Sequence, residues 1–162
     1  MEIRLNKNFT THIPMLIKCI NATNGPVMEL GGGYFSTPLL HWMCREKKRY
    51  LLTYDDDESY FPFIKGFRSG NHRVRLITDW DSIDTKTHWS VVLVDHGNSM
   101  QQRVKSIIKL KDKADYIVVH DTDHRKFKPL AADLYKQFKY VHHWNDCSPQ
   151  TSILSNFYNI TI

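Results

Sequence analysis

The sequence predicts an α/β fold in which a mostly parallel sheet, covered by helices on both faces, ends in an antiparallel hairpin. Short apolar segments alternate with amphipathic ones along most of the chain, which is typical of repeated strand–helix–strand units. Residues 89–95 and 114–121 are unbroken apolar runs rich in β-branched side chains, as expected of strands buried on both faces. Near the end, two strand-like segments are joined by "NDCSPQT", which is too short for a crossover helix, so this pair is predicted to be antiparallel.

The elements of the first half follow from local signals. The patterns predict strands over 25–30, 49–54 and 72–78 and helices over 36–48 and 58–67. The first of these helices has apolar side chains at helical spacing and charged ones at its end. Ser36 is predicted to cap its N-terminus, and Pro38 is tolerated because it lies in the first turn.

The second half continues the alternation until the hairpin. The patterns predict strands over 89–95, 114–121, 140–144 and 152–160 and helices over 99–113 and 128–138. Residues 79–88 are too few for a helix with two loops, so one helix of the outer layers is expected to be missing or rudimentary. We therefore expect a single domain over 1–162, with an N-terminal helical segment at 1–24 and a Rossmann-like core at 25–162.

Composition narrows the class of protein and its partners. The chain has 162 residues, 41% hydrophobic and 24% charged, which is ordinary for one folded domain. It contains no apolar run near the roughly 20 residues of a membrane span and no signal-peptide core. Three cysteines without paired spacing favour reduced thiols, so we expect a cytoplasmic protein without a membrane partner.

The net charge of +5 mildly favours an anionic partner. The basic clusters at 45–49 and 105–113 fall on predicted helix surfaces, where charged side chains are usually solvated. Neither cluster is interleaved with aromatic residues, so nucleic acid is disfavoured as a partner at this stage.

Acidic side chains follow the predicted strands, at the edge where an open α/β sheet binds its ligands. They are Glu29, Asp55, Asp79, Asp95 and Asp121. Three glycines, Gly31 to Gly33, follow the first strand, where they allow a tight turn and a close approach of backbone N–H groups to a ligand. The same edge of the sheet is therefore predicted to hold the ligand site.

The spacing of these residues points to a nucleoside. Asp55 follows Gly31 by 24 residues, close to the roughly 20 that separate a glycine turn from a ribose-binding carboxylate. Asp79 and Trp80, after the third strand, could hold an adenine by a hydrogen bond and an apolar wall.

These features resemble the class I S-adenosylmethionine-dependent methyltransferases over roughly residues 12–162. The resemblance rests on "ELGGG" after strand one, the aspartates at 55–57 after strand two, "VVLVDHG" and "YIVVHDTDH" at the ends of strands four and five, and the reversed last strand. "YFSTPLLH" is similar to the helix opening of small-molecule O-methyltransferase-like members. Phe35 stands where the family has a third glycine. The resemblance implies S-adenosylmethionine bound by Glu29, Gly31, Gly32, Gly33, Ser36, Asp55, Asp79, Trp80 and Asp95.

The segments after strands four and five also resemble divalent-cation-dependent catechol-type methyltransferases. That resemblance implies Mg²⁺ held by Asp95 and Asp121, with Thr122 where that group has an asparagine. Carboxylates and a hydroxyl are the oxygen ligands that Mg²⁺ prefers. Alternatively, Asp121 and Thr122 only cap the turn after the fifth strand. A zinc pair of His120 and His124 is disfavoured, because both follow a strand and therefore do not share a helical face.

The sequence also leaves more than one candidate for the catalytic base. The lysine of the catechol-type group falls near Asn98 here. His96 and His120 are alternatives, because an imidazole titrates near neutral pH, and both lie close in sequence to the strand ends. Asp95, His96 and His120 are therefore the candidate catalytic residues.

The expected function is methyl transfer to a small-molecule or sugar-like acceptor, mainly at oxygen. A first alternative is a module that keeps the cofactor pocket without turnover, as a subunit of a larger assembly. A second is a nucleic-acid methyltransferase, disfavoured because "DHGN" stands where such enzymes have an Asn/Asp-Pro-Pro-aromatic motif. The few residues before the first strand also leave room for a homo-oligomer in which a neighbouring subunit completes the pocket.

Overall fold

The computed structural model describes residues 7–97 and 99–160, which form one seven-stranded sheet flanked by helices. Asn98 and the two ends of the predicted 1–162 domain lie outside the described residues. The strands are β1 (Val27–Leu30), β2 (Leu51–Asp55), β3 (His72–Leu76), β4 (Trp89–Val94), β5 (Ala114–His120), β6 (Tyr140–Trp144) and β7 (Thr151–Ser155). The helices are α1 (Ile13–Asn21), α2 (Ser36–Glu46), α3 (Phe61–Lys65), α4 (Met100–Leu110) and α5 (Lys128–Tyr135).

The sheet has the order β3-β2-β1-β4-β5-β7-β6. The first five strands are parallel, and β7 runs antiparallel to both β5 and β6. This confirms the predicted fold class, including the antiparallel hairpin at the end. Between β3 and β4 the only helical element is the 3₁₀ turn Trp80–Ser82, as the short spacer predicts.

Two apolar clusters lie on the two faces of the sheet. One is formed by α1 and α2 with β1, β4 and β5, and the other by α4 and α5 with the opposite faces of the same strands. Leu16 and Ile107 are completely buried in their respective clusters. Burying a side chain of this size contributes about 1.5–3 kcal/mol, so the two layers fix the strand ends that carry the polar residues.

Two local predictions differ from the structure. Ser36 is not the N-cap of α2, because the helix begins at Ser36 and Phe35 precedes it without a side-chain capping bond. Ser36 is instead buried beside Gly33. Strand β7 ends at Ser155, earlier than the predicted 160, where Ser155 Oγ accepts hydrogen bonds from the backbone of Phe157 and Tyr158 and turns the chain away. Among the described residues, no helix is long and apolar enough to cross a membrane.

Candidate functional site

The glycine turn after β1 packs directly on the loop after β4. Gly31 has a φ of +91°, and a Cβ there would lie 2.5 Å from the backbone nitrogen of His96. A Cβ on Gly32 would lie 2.9 Å from the Ile64 side chain. A non-glycine residue at position 31 would therefore combine a strained backbone with a collision against main chain.

All three glycine N–H groups are used within the protein. Gly31 N–H donates to the carbonyl of Tyr54 at 2.9 Å, Gly32 N–H to Asp55 Oδ2 at 2.7 Å and Gly33 N–H to Thr37 Oγ1 at 2.9 Å. The expectation that these donors face a ligand does not match this geometry. The glycines instead bring bare backbone close to the loop after β4 and to the cavity beside it.

Glu29 lies beneath the turn rather than in a cavity. Its side chain is completely buried, and Oε2 accepts hydrogen bonds from Thr37 Oγ1 at 2.9 Å and Thr53 Oγ1 at 2.7 Å. Burial raises the pKa of Glu29 to about 7, although hydroxyl groups of Ser36, Thr53 and Thr37 oppose the shift. Through Thr37, Glu29 supports Gly33 and thus the shape of the turn.

A first cavity of about 440 Å³ lies at the carboxyl ends of β1, β2 and β4. It is lined by Gly31, Gly32, Asp55, Asp56, Asp57, Glu58, Ser59, Tyr60, Asp95, His96 and Gly97. Its size falls within the range of small-molecule pockets, and the topology places it where open α/β sheets bind ligands. The five carboxylates in its lining make it strongly acidic.

Asp55 connects this cavity to the glycine turn. Oδ2 accepts from Gly32 N–H at 2.7 Å, and Oδ1 accepts from Asp57 N–H at 2.8 Å. Each oxygen therefore keeps a further lone pair for another donor. Burial raises the pKa of Asp55, an effect that the two backbone hydrogen bonds oppose.

The structure places Asp79 and Trp80 outside the lining of this cavity. The Asp79 carboxylate accepts from Asp81 N–H and caps the 3₁₀ turn. The Trp80 ring is buried and stacks on His96, with centroids 3.9 Å apart, while its N–H donates to Asp56 Oδ2 at 3.0 Å. Trp80 therefore packs behind residues that line the cavity.

A second cavity of about 240 Å³ adjoins the first. It is lined by Phe9, His12, Gly32, Gly33, Tyr34, Phe35, Ser36, Tyr60 and Asp95. Gly32, Tyr60 and Asp95 line both cavities, so the two meet at these residues. The four aromatic rings in the second lining offer flat apolar surfaces, in contrast to the acidic first cavity.

Asp95 belongs to a polar cluster with residues of β5 and α4. Asp95 Oδ1 lies 3.1 Å from His120 Nδ1 and 3.4 Å from Arg103 Nη2. Burial alone would raise the pKa of Asp95, but the hydrogen bond and charge of His120, together with Arg103, hold it below its ordinary value. Burial alone would lower the pKa of His120, but Asp95 raises it. Each group therefore stabilises the charged form of the other, with the proton on His120 Nδ1 donated in a hydrogen bond to Asp95 Oδ1.

The other predicted catalytic and metal residues have different surroundings. His96 is buried, stacks on Trp80 and contacts Ser106 Oγ through Nε2, and burial lowers its pKa to about 3. Asp121 has a φ of +59° and lies 3.8 Å from Arg103 Nη1. Thr122 is buried and accepts from Ser152 Oγ, on β7.

Sequence reasoning missed His12. It immediately precedes α1, is 1% exposed, and packs edge-to-face on His120 with ring centroids 4.7 Å apart. Burial lowers its pKa to about 4, with Asp95 opposing the shift. Among the described residues, His12, Asp95 and His120 form the group of His, Cys, Asp and Glu side chains that converges closely enough to hold a metal ion. The sequence signal for this residue is a histidine just before an amphipathic helix that has proline in its first turn. Such a pattern is only a weak indication of a functional histidine.

Comparison with known proteins identifies the fold. No protein-family model and no curated protein matches the sequence. The N-terminal domain of human METTL16 in complex with SAH is similar at a TM-score of 0.70 and 13% identity, covering 97% of this chain and 73% of that one. TrmK of M. capricolum, in complex with the cofactor product S-adenosyl-homocysteine, is similar at a TM-score of 0.58 and 11% identity. The match covers 91% of this chain and 70% of that one.

A further structure corrects the partner expected from the sequence. The catalytic domain of human METTL16 in complex with the MAT2A 3′UTR hairpin 1 is similar at a TM-score of 0.66 and 10% identity, covering 98% of this chain and 74% of that one. The prediction of a small-molecule acceptor, with nucleic acid disfavoured, is wrong, and the finding that overturns it is this similar structure with an RNA hairpin. The protein has the fold of the class I S-adenosylmethionine-dependent methyltransferases.

Proposed function

We propose that the protein is an S-adenosylmethionine-dependent methyltransferase that acts on RNA. The observation that carries the proposal is the meeting of an acidic cavity and an aromatic cavity at Gly32, Tyr60 and Asp95. A cofactor in the first cavity and an acceptor base in the second would come into contact at these three residues. Holding the two reactants in that geometry is the main source of rate in such a transfer.

The first cavity suits S-adenosylmethionine in size and in charge. The cofactor carries a sulfonium and an ammonium group, and the lining supplies carboxylates. Asp55 keeps one lone pair on each oxygen for the ribose hydroxyl groups. Gly31 and Gly32 present backbone without side chains at the cavity wall, where a Cβ would also collide with neighbouring residues. When bound, the cofactor supplies an electrophilic methyl group.

The second cavity suits an unstacked nucleobase. Aromatic side chains are the usual surfaces on which single-stranded bases stack, at about 1–3 kcal/mol for each base. Phe9, Tyr34, Phe35 and Tyr60 supply such rings here. Asp95 lies in the same lining and, with His120 behind it, can hold a proton near an acceptor nitrogen or oxygen. The METTL16 structure with an RNA hairpin supports this substrate class.

Positively charged side chains at the β3 edge of the sheet support contact with phosphate groups. Arg68, Arg73 and Arg75 line a shallow basic depression beside β3, and all three are exposed. Each contact of this kind adds a salt-dependent contribution to RNA binding. The net charge of +5 acts in the same direction.

Calorimetry with S-adenosylmethionine and S-adenosylhomocysteine tests the cofactor. We expect both to bind the wild type, and Asp55→Ala to weaken binding at least tenfold, because it removes the carboxylate from the cavity. Asp79→Ala is the matched control, since Asp79 caps the 3₁₀ turn outside the cavity, and it should bind as the wild type does. Equal effects of the two substitutions, or no binding to folded wild type, would contradict the proposal.

Transfer of a labelled methyl group to RNA tests the acceptor. We expect incorporation into single-stranded or hairpin RNA, reduced at least tenfold by Tyr34→Ala, which removes an aromatic ring from the lining of the second cavity. Because Tyr34 packs on Tyr60, which lines both cavities, the cofactor affinity of the variant is measured alongside and should remain that of the wild type. Cofactor binding with no transfer to any RNA would leave the alternative of a module without turnover.

A further inference from the structure

Three side chains from distant parts of the chain converge beside the second cavity. His12 precedes α1, Asp95 follows β4, and His120 ends β5. One ring nitrogen of each histidine and one carboxylate oxygen of Asp95 all lie within 4.8 Å of one another. Ligand atoms around a tetrahedral zinc ion are about 3–3.5 Å apart, as follows from bond lengths near 2.0–2.1 Å. A metal ion would draw these side chains closer together and replace the His120–Asp95 hydrogen bond with bonds to the ion.

The state of His12 distinguishes this cluster from an ordinary buried network. The residue is 1% exposed, and neither Nδ1 nor Nε2 has a hydrogen-bond partner within residues 7–97 and 99–160. Leaving a buried polar group without a partner costs about 1–3 kcal/mol, so native structures rarely do so without a reason. A neutral imidazole with a lone pair directed among a carboxylate and a second imidazole is the state in which histidine binds a metal.

The other two side chains are held in place by a surrounding set of hydrogen bonds. His120 Nε2 contacts Thr11 Oγ1 at 2.9 Å, which leaves Nδ1 directed at Asp95 Oδ1, 3.1 Å away. Arg103 donates to the carbonyls of His96 and His120 and so fixes the ends of β4 and β5 relative to each other. Such contacts behind the ligands are typical of metal sites, where they orient the ligating rings.

The carboxylate of Asp95 also has capacity for a further ligand. Among the described residues, its hydrogen bonds and ion pairs all involve Oδ1. The side chain is 25% exposed and lines both cavities. A cation beside His12 and Asp95 would therefore keep one coordination position open toward the 240 Å³ cavity, which both residues line.

We propose that His12, Asp95 and His120 bind a divalent transition-metal ion of the zinc type, with an open position facing the second cavity. Two imidazoles with one carboxylate favour such an ion over Mg²⁺, which prefers oxygen ligands. This set shares only Asp95 with the Asp95–Asp121–Thr122 set that the sequence suggested for Mg²⁺. The site goes beyond the proposed function and does not depend on it, because its metal affinity is measured without cofactor or RNA.

Metal titration of the chelator-treated 162-residue chain tests the site. We expect one Zn²⁺ per chain, retained in excess Mg²⁺, and visible absorption bands of a low-coordinate site when Co²⁺ replaces it. His12→Asn and Asp95→Asn should each weaken Zn²⁺ binding at least tenfold. His124→Ala and His88→Ala are the controls, because both histidines are exposed and outside the cluster; they should leave this binding unchanged.

Two results would overturn the proposal. One is equal Zn²⁺ affinity in wild type and His12→Asn, which would assign the metal to surface histidines. The other is wild-type binding no tighter for Zn²⁺ than for Mg²⁺, which would leave Asp95 and His120 as an acid–base pair with His12 as a packing residue. Ring-nitrogen NMR shifts of the wild type show whether His12 and His120 bind the metal, even where a variant does not fold. Zn²⁺ should shift the signals of His12 and His120 and leave that of His124 unchanged.

Discussion

The protein contains two buried histidine pairs that differ in how their nitrogens are satisfied. In the first, His41 Nδ1 and His72 Nδ1 are 3.1 Å apart, and His72 Nε2 contacts Thr53 Oγ1 at 2.9 Å. In the second, His120 is bonded to Thr11 and Asp95, whereas His12 has no hydrogen-bond partner at either nitrogen in the part of the chain that the structure describes. Residue type and burial are the same in both pairs, so only the partners distinguish a structural network from a ligand site.

The first pair belongs to a continuous buried network. From His72 the contacts run through Thr53 to Glu29, and from Glu29 through Thr37 to the N–H of Gly33. Since Thr53 donates its proton to Glu29, it accepts from His72 Nε2. This network ends at the glycine turn. Among the described residues its one unpartnered buried side-chain atom is Glu29 Oε1, and Glu29 lines neither cavity. The second pair ends at a cavity and leaves polar atoms available, which is why we assign the ligand there.

Replacing one histidine of each pair by leucine should give the largest contrast. His72→Leu deprives His41 and Thr53 of a partner, and we expect it to lower the free energy of unfolding by about 2 kcal/mol. His12→Leu removes two unpartnered nitrogens, and we expect it to raise the stability of the metal-free protein by about 1 kcal/mol. Urea unfolding in the presence of a chelator measures both. Destabilisation of similar size in the two variants would remove the distinction between the pairs.

The first network should also make stability depend on pH through Glu29. Its folded pKa of about 7 lies above the ordinary value of 4.5. The folded state therefore retains the proton longer than the unfolded state, and its stability contribution is complete below about pH 4.5 and lost as the pH rises through about 7. The loss is on the order of 3 kcal/mol.

Unfolding curves of wild type and Glu29→Gln at a series of pH values measure this effect. The amide cannot titrate, so the difference between the two proteins isolates Glu29 from Asp55 and the other groups nearby. We expect the wild type to lose stability relative to the variant between pH 4.5 and 7. Parallel curves over that range would show that Glu29 ionises normally.

A matched pair of threonine substitutions should give the smallest contrast between two variants. Thr53→Val removes the hydroxyl that links Glu29 to His72, both of which are buried. Thr11→Val removes the half-buried contact to His120. We expect the first to cost about 2 kcal/mol and the second about 1 kcal/mol. The first deprives two buried side chains, Glu29 and His72, of a hydrogen bond, and the second deprives only His120 of one. Thermal unfolding measures both, and the reverse order would place the tighter network around His120.

Much of the candidate site could be predicted from the sequence, because parallel strands bring their carboxyl ends to one edge. Asp55 and Asp95 both line the first cavity for this reason. Glu29 follows the same rule in sequence but lies under the turn, because β1 is an inner strand between β2 and β4 and all of its residues are buried. Asp79 is at a strand end too, but a local cap takes its carboxylate.

Local patterns by themselves determined the fold class, the order of elements and the antiparallel ending. Apolar periodicity and spacer length act over a few residues, so they can be recognised without knowing the neighbours in space. Tertiary structure alone decided which histidines are satisfied. His12 meets Asp95 and His120 because α1 packs against β4 and β5, and His41 meets His72 because α2 lies over the β2–β3 edge. The partners of a buried polar atom come from distant parts of the chain, and no local pattern specifies them.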